Sequence, residues 1–322
     1  MKKEKIKRKI KQITIICPVY NEELNIVRFI ESFNEIFLNY KKRYQFSYLF
    51  LDNNSVDQTI KILLAERAKF KNISIIKYSR NFGVMKSIFT GIVNLNSETN
   101  ACAIFDCDLQ DPPELLVGMI EKWEEGYQIV YGLRSKRKEN FLISFFRNRY
   151  KNLEKLLKGK VTQIESGVWF LDKRVITELK LSRFEPYLAG LISRLGFKST
   201  GITYSRNIRR FGDSKFNFLR YIGYAIDGLV SGTIAPLRIS VLCGLFISFL
   251  SFLMAVYFIY AKFYLGIQFQ AGMIATIVIL LFGFGLNFIF LGLIGEYLGR
   301  IYLNEQDSTT AIIDEFYDKK NN

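Results

Sequence analysis

Between Arg238 and Glu296 the chain carries a single charged side chain, Lys262. Ile239–Ala261 before it is an uncharged run of 23 residues, and Phe263–Gly295 after it is uncharged throughout. As a helix the first run reaches about 35 Å, against about 30 Å for a bilayer's hydrocarbon core. A buried core helix is the other reading of either run alone, but such helices rarely stay free of charge for so long. The pattern predicts two membrane-spanning helices, at 239–261 and 272–294, with a short connection between them. That connection holds one basic residue, whereas Arg238 and Arg300 flank the outer ends and many more lie upstream, which puts both termini in the cytoplasm. The basic start, MKKEKIKRKIK, runs into a strand pattern rather than an apolar core, so it does not read as a signal peptide.

The rest of the 322 residues is strongly basic, within a net charge of +15 for the chain. There is no histidine. That excludes a Ser-His-Asp triad, a histidine general base and a His-ligated zinc. Cys17, Cys102, Cys107 and Cys243 are too few and too scattered for a disulfide framework, which suits a reducing compartment.

Upstream of the apolar runs, short apolar segments alternate with helical patterns. Ile13–Val19, Phe46–Leu51, Ile73–Lys77, Ala101–Phe105 and Gln128–Tyr131 read as buried strands; Glu23–Asn39, Gln58–Lys69, Val84–Leu95 and Pro113–Glu125 read as the helices between them. Such alternation predicts an α/β fold: a mainly parallel sheet flanked by helices, with ligands at the carboxyl ends of the strands. Polar clusters sit at those ends: Pro18-Val19-Tyr20-Asn21-Glu22-Glu23, Asp52-Asn53-Asn54-Ser55, Ser79-Arg80-Asn81-Phe82-Gly83 and Asp106-Cys107-Asp108-Leu109-Gln110-Asp111. Any one of them could be turn and cap chemistry. Four at one sheet edge argue for a site. Asp106 and Asp108 with the Gln110 amide oxygen are hard oxygen donors, suited to Mg²⁺ or Mn²⁺ holding a diphosphate. Asp52 and Glu22 could accept hydrogen bonds from a base or ribose.

These segments, PVYNEE, Asp52-Asn-Asn-Ser-x-Asp, SRNFG, DCDLQDPPE and the later GEYLGRIY, resemble those of membrane-anchored family 2 glycosyltransferases, the polyprenyl-phosphate group that includes bactoprenol glucosyltransferases and dolichol-phosphate mannose synthases. The resemblance spans Ile13 to about Glu305. It implies a GT-A nucleotide-sugar-binding domain over 1–212, interfacial helices over 213–235, the transmembrane pair within 236–296 and a cytoplasmic tail over 297–322. It implies transfer of one sugar from a nucleotide-sugar to polyprenyl phosphate at the cytoplasmic face, inverting and non-processive. Pro18, Tyr20, Glu22 and Asp52 would hold the nucleotide, and Asp106, Asp108 and Gln110 the metal and diphosphate.

Arg134 to Lys160 holds ten basic residues against two acidic, interleaved with Phe141, Phe145 and Phe146, as membrane-surface helices are. Arg194 to Arg220 holds seven against one. A solvated face, or attraction to anionic lipid, is the alternative reading of such charge. Nucleic acid is excluded as a partner by the two predicted spans. By resemblance Arg134, Arg147 and Arg149 would meet the lipid phosphate, with Arg209 and Lys215 from a second Arg-rich loop; Asp108, Arg134 and Arg209 would be the catalytic set. One departure stands out: Gly167 occupies the position of a carboxylate that the bactoprenol-type enzymes use as a proposed base, and Glu165 is two residues off. Two other readings compete. A processive polysaccharide synthase needs a Gln-x-x-Arg-Trp motif, which neither Trp123 nor Trp169 closes, and more spans. A catalytically inactive membrane scaffold on the same fold is favoured only by Gly167. Small residues at Gly283, Gly285, Gly292 and Gly295 would permit helix packing within a hairpin or in a homo-oligomer.

Overall fold

The computed structural model describes residues 10–135, 167–183, 188–207, 272–306 and 310–318, with separate positions between 237 and 265. Its centre is an eight-stranded sheet in the order β7-β5-β6-β4-β1-β2-β3-β8. The strands are β1 (Lys11–Val19), β2 (Tyr44–Asp52), β3 (Ile73–Tyr78), β4 (Thr99–Ile104), β5 (Ile129–Arg134), β6 (Trp169–Asp172), β7 (Ser199–Tyr204) and β8 (Ile313–Tyr317). β4, β1, β2 and β3 pair in parallel, as do β5 and β7; β6 and β8 run against their neighbours. The sheet is therefore mainly parallel.

The central strands are buried on both faces, which is why they read as unbroken apolar runs rather than as alternation. In β1, Ile13, Ile15, Cys17 and Val19 enter one core while Ile16 enters the other. In β2, Phe46, Tyr48 and Phe50 face the first core and Leu49 and Leu51 the second. The first core is aromatic: Phe29, Phe33 and Phe37 of α1 (Ile26–Tyr40) recur at helical spacing and pack on Phe46, Tyr48, Phe50 and Phe105. Leu63 of α2 (Thr59–Lys69) and Leu116, Met119 and Ile120 of α4 (Leu115–Glu124) complete it. The second core lies under α3 (Val84–Val93), α5 (Lys173–Leu181) and α6 (Leu188–Arg194). Thr14, at 6% exposure, meets Ser47 and Thr99 through hydroxyl contacts, so its polar atom is satisfied inside the sheet.

The first five predicted strands and four predicted helices are present, with ends shifted by a few residues. α4 begins at Leu115 rather than Pro113, because Pro112 and Pro113 carbonyls accept from Leu115 and Leu116 in a tighter turn. Three strands go beyond the prediction. β6 inserts antiparallel between β4 and β5, β7 adds an edge, and β8, from the segment expected to be a tail, closes the opposite edge against β3.

A second compact unit contains α7 (Gly272–Gln306). Among the described residues this is the helix long and apolar enough to cross a membrane; its window Phe282–Gly299 has a mean hydropathy of 1.4 and none of it is buried. It continues past the predicted end at Ile294. The described positions between Leu237 and Tyr264 are helical, and most of the first predicted span lies outside the described residues.

Candidate active site

The carboxyl ends of β1, β2, β3 and β4 meet around a cavity of about 370 Å³, lined by Pro18, Val19, Tyr20, Glu22, Asn53, Asn81, Gly83, Val84, Asp106, Cys107 and Asp108. The loops that form it are laced to one another. Asn21 N–H donates to Ser55 Oγ (3.0 Å), Val56 N–H to Asn21 Oδ1 (2.9 Å) and Glu22 N–H to Thr59 Oγ1 (2.9 Å). Asn53 N–H donates to the Val19 carbonyl (3.0 Å), and its side-chain oxygen accepts from Ser87 Oγ at 2.6 Å, which ties the second loop to α3. Asn21, Asn54 and Leu109 hold left-handed backbone (φ 55°, 61° and 53°), one in each of three of these loops. For leucine that conformation is costly, and here it turns the chain sharply just after Asp108. Gly83 (φ 84°) begins α3 with open space where a Cβ would stand.

Asp106 and Asp108 both reach the cavity, and Gln110 N–H donates back to Asp108 Oδ1 at 3.1 Å. The Gln110 carbonyl accepts from Asn207 N–H at 2.8 Å, and its side chain is not on the cavity wall. Asp106 is recessed, although 37% of its side chain remains exposed. Desolvation, then the charges of Asp108 and Asp111, push its pKa up to about 6 against the pull of Arg206 and Arg134. Tyr20, at 40% exposure, stands at the rim, and Glu22 accepts from Asn25 Nδ2 at 2.6 Å. Asp52 is fully buried behind the wall. Its Oδ1 accepts from Ser55 Oγ at 2.5 Å; burial raises its pKa and the Ser55 bonds oppose the rise. Asn53 lines the cavity where Asp52 does not. Cys107 is buried beside Cys17, whose thiol is pushed far up by burial and by its hydrogen bond with Cys107; both are free thiols.

Beyond Asp106 lies a group the sequence did not single out as a unit. Arg134, at the end of β5, donates from Nε to Tyr204 Oη (3.3 Å), and Tyr204 donates to Asp111 Oδ1 (2.5 Å). Arg206 Nε lies 3.2 Å from the same Oδ1, and an Arg206 terminal nitrogen lies 4.0 Å from Asp106 Oδ2. A Cβ on Gly167 would stand 3.7 Å from an Arg134 terminal nitrogen and 3.8 Å from Asp106 Oδ2, so this glycine leaves a gap between carboxylate and guanidinium. The only sequence signal for Arg206 and Tyr204 is the basic stretch; Asp111 reads only as the last member of the Asp106–Asp111 cluster. Arg147, Arg149, Arg209, Lys215 and Glu165 lie outside the described residues.

The cavity with its acidic pair thus sits at the carboxyl edge of a mainly parallel α/β sheet, where such folds bind their ligands. The chain belongs to glycosyl transferase family 2, which its residues 14–179 match, and it is a glycosyltransferase. It is 34% identical over 316 residues to the glycosyltransferase YkcC of Bacillus subtilis, covering 96% of this chain and 95% of the relative. A bactoprenol glucosyl transferase of Shigella phage SfX is 29% identical over 94% of this chain and 98% of its own. An undecaprenyl-phosphate 4-deoxy-4-formamido-L-arabinose transferase of Photorhabdus laumondii is 31% identical over 91% and 90%. Among solved structures, glucosyl-3-phosphoglycerate synthase of Mycobacterium tuberculosis matches with a TM-score of 0.49 and 18% identity, covering 69% of this chain and 79% of that one.

Proposed function

We propose that this glycosyltransferase moves a single sugar from a nucleotide-sugar to a polyprenyl phosphate of the undecaprenyl type, at the cytoplasmic face of the cell membrane, with inversion at the sugar carbon. The observation that carries the reading is the meeting of a carboxylate pair, Asp106 and Asp108, with two guanidiniums, Arg134 and Arg206, around Asp106. One set suits a metal-bound diphosphate and the other an anionic acceptor. Near full-length similarity to relatives named for bactoprenol and undecaprenyl phosphate supports the acceptor class.

In this reading Pro18, Tyr20, Glu22 and the Asp52–Ser55 turn bind the nucleoside. Asp106 and Asp108 would hold Mg²⁺ or Mn²⁺, with Gln110, whose side chain is off the cavity wall, orienting Asp108 through its N–H rather than acting as a ligand. Among the described residues no three His, Cys, Asp or Glu side chains form a ready-made metal cage. Two carboxylates fit Mg²⁺ all the same, since that ion is commonly held by one or two carboxylates together with substrate phosphates and water. A divalent ion held there would supply positive charge for the departing nucleoside diphosphate. Arg134, with Arg147, Arg149, Arg209 and Lys215, binds and orients the acceptor phosphate. No residue has to take its proton: the second phosphate pKa lies near 6, so the attacking oxygen is already ionised at neutral pH. That accounts for a site with glycine at position 167 and for a chain without histidine. Catalysis then rests on positioning and charge. A direct single displacement inverts the anomeric centre and ends after one transfer.

The chain is anchored by helices at 239–261 and 272–294, with 213–235 at the interface and both termini cytoplasmic. Small residues on the second helix would allow a homo-oligomer. The test is incubation of membranes with radiolabelled UDP-, GDP- and dTDP-sugars and undecaprenyl phosphate. A labelled, mild-acid-labile lipid with one donor is expected; none with any donor would refute the reading.

A further inference from the structure

We infer that Asp111 is a positioning residue: through Tyr204 and by direct ion pairing it fixes the guanidiniums of Arg134 and Arg206 in the orientation that receives the acceptor phosphate. The inference rests on the acceptor reading above and adds to it the buried groups that hold the cationic side in place.

Asp111 is 1% exposed. A buried carboxylate is costly unless it is paired and hydrogen-bonded. Here it is paired from two sides. Oδ1 accepts the Tyr204 hydroxyl at 2.5 Å and lies 3.2 Å from Arg206 Nε, an ion pair in which the N–H is not aimed at the oxygen and makes no hydrogen bond. Oδ2 has no hydrogen-bond partner among the described residues, and an Arg134 terminal nitrogen is 3.9 Å away. Tyr204 is the bridge: its oxygen accepts from Arg134 Nε at 3.3 Å while its hydrogen goes to Asp111. Burial and the bond to Asp111 both raise the Tyr204 pKa, so the phenol keeps the proton that the relay needs.

Arg134 is held by a hydrogen bond from Nε to Tyr204, and Arg206 by an ion pair on its Nε edge. A guanidinium has five N–H donors in a rigid fork, so fixing one edge sets the direction of the others. On Arg206 a terminal nitrogen lies 4.0 Å from Asp106 Oδ2. On Arg134 a terminal nitrogen borders the gap left by Gly167. Both forks are thus held beside the carboxylate proposed for the donor's metal. The parts come from separate pieces of chain: Asp111 before α4, Arg134 at the end of β5, Tyr204 and Arg206 at and after the end of β7. β5 and β7 are parallel neighbours with Arg134 opposite Tyr204, which explains how residues so far apart in sequence share one carboxylate.

The test uses the full-length protein in detergent, comparing wild type, Asp111→Asn, Tyr204→Phe and the double variant. The measurements are kcat/KM for undecaprenyl phosphate at saturating donor, and the Kd of the donor's nucleoside diphosphate with Mg²⁺. Asp111→Asn should cut kcat/KM for the lipid about tenfold or more, since the buried charge that both arginines pair with is lost, and leave the nucleotide Kd within about twofold. Tyr204→Phe should lose less, because it severs only the Arg134 branch. The double variant should lose no more than Asp111→Asn alone, because the two act in one relay. A merely structural role would move lipid and nucleotide parameters together and make the losses additive. That pattern, or an Asp111→Asn enzyme with unchanged lipid kcat/KM, would overturn the inference while leaving the transfer reaction standing. If Asp111→Asn fails to fold, Tyr204→Phe decides: unchanged lipid kcat/KM overturns it. A wild type that transfers nothing to lipid phosphate refutes the acceptor reading and the inference with it.

Discussion

At the scale of single residues, Asp106 and Asp108 separate in what they answer to. Asp106 borders two arginines and two further carboxylates, and its pKa is pushed up to about 6 from an ordinary 3.8, first by desolvation. A carboxyl group with a raised folded-state pKa holds its proton longer in the fold than in the unfolded chain. Its stabilising contribution is present at acid pH and is lost as pH rises through the folded value. In chelator, the melting temperature of Asp106→Asn relative to wild type should therefore rise as pH goes from about 5 to about 7. A difference that does not change with pH would mean that Asp106 titrates as an ordinary carboxylate. Asp108→Asn should keep the wild-type melting temperature and lose at least about a hundredfold in sugar transfer, as should wild type in EDTA. Full activity in either case would remove the metal assignment. The Asp106–Asp108 pair was legible in sequence because it follows a buried strand. The Asp111–Tyr204 bond was not, because it joins residues 93 positions apart and no local pattern reports it.

At the scale of elements, the parts of the sheet that sequence made plain are those buried on both faces. β1 to β5 carry strong apolar runs, and helices separate them. β6 is four residues long, β7 (STGITY) is mostly half-buried, and β8 (IDEFY) alternates half-buried and exposed side chains. β7 and β8 offer no apolar run to read; β6 has one in Val168–Leu171, but it is too short to stand out, and the placement of all three depends on pairing partners far away in the chain. β8 has its own clamps: Ser79 N–H donates to the Ile312 carbonyl (3.1 Å), Ala311 N–H to Thr90 Oγ1 (2.8 Å), and Lys77 Nζ to Asp314 (3.0 Å) and Glu315 (2.7 Å). It covers the edge of β3, just before the Ser79–Gly83 loop that supplies Asn81 and Gly83 to the cavity. An uncovered edge strand exposes its backbone donors and acceptors. Removing residues 310–322 should lower the melting temperature, speed amide exchange in β3 and weaken nucleotide binding. Lys77→Ala should do much less, since it removes surface ion pairs and leaves the strand pairing. Unchanged β3 exchange after the truncation would show that β8 contributes nothing to that edge.

At the scale of the whole molecule, the chain leaves the α/β sheet after β7, passes through α7 and returns to the sheet as β8. α7 has 35 residues, about 52 Å as a helix, well beyond the hydrocarbon thickness of about 30 Å. The charged Glu296, Arg300 and Glu305 all fall in its last part. The apolar window Phe282–Gly299, which holds Glu296 near its end, is unburied, as a lipid-facing surface would be. The protein should therefore stay with membranes through high salt and alkaline carbonate and come off only in detergent. Release by carbonate would contradict a spanning anchor.

The central claim is one sugar on one lipid monophosphate, and mass spectrometry of the lipid product tests it most directly. Purified protein, the active nucleotide-sugar and undecaprenyl phosphate should give undecaprenyl monophosphate carrying a single sugar, with the free nucleoside diphosphate released in equal amount. A diphosphate-linked lipid, a lipid carrying a sugar polymer, or nucleotide release with no glycosylated lipid would contradict it.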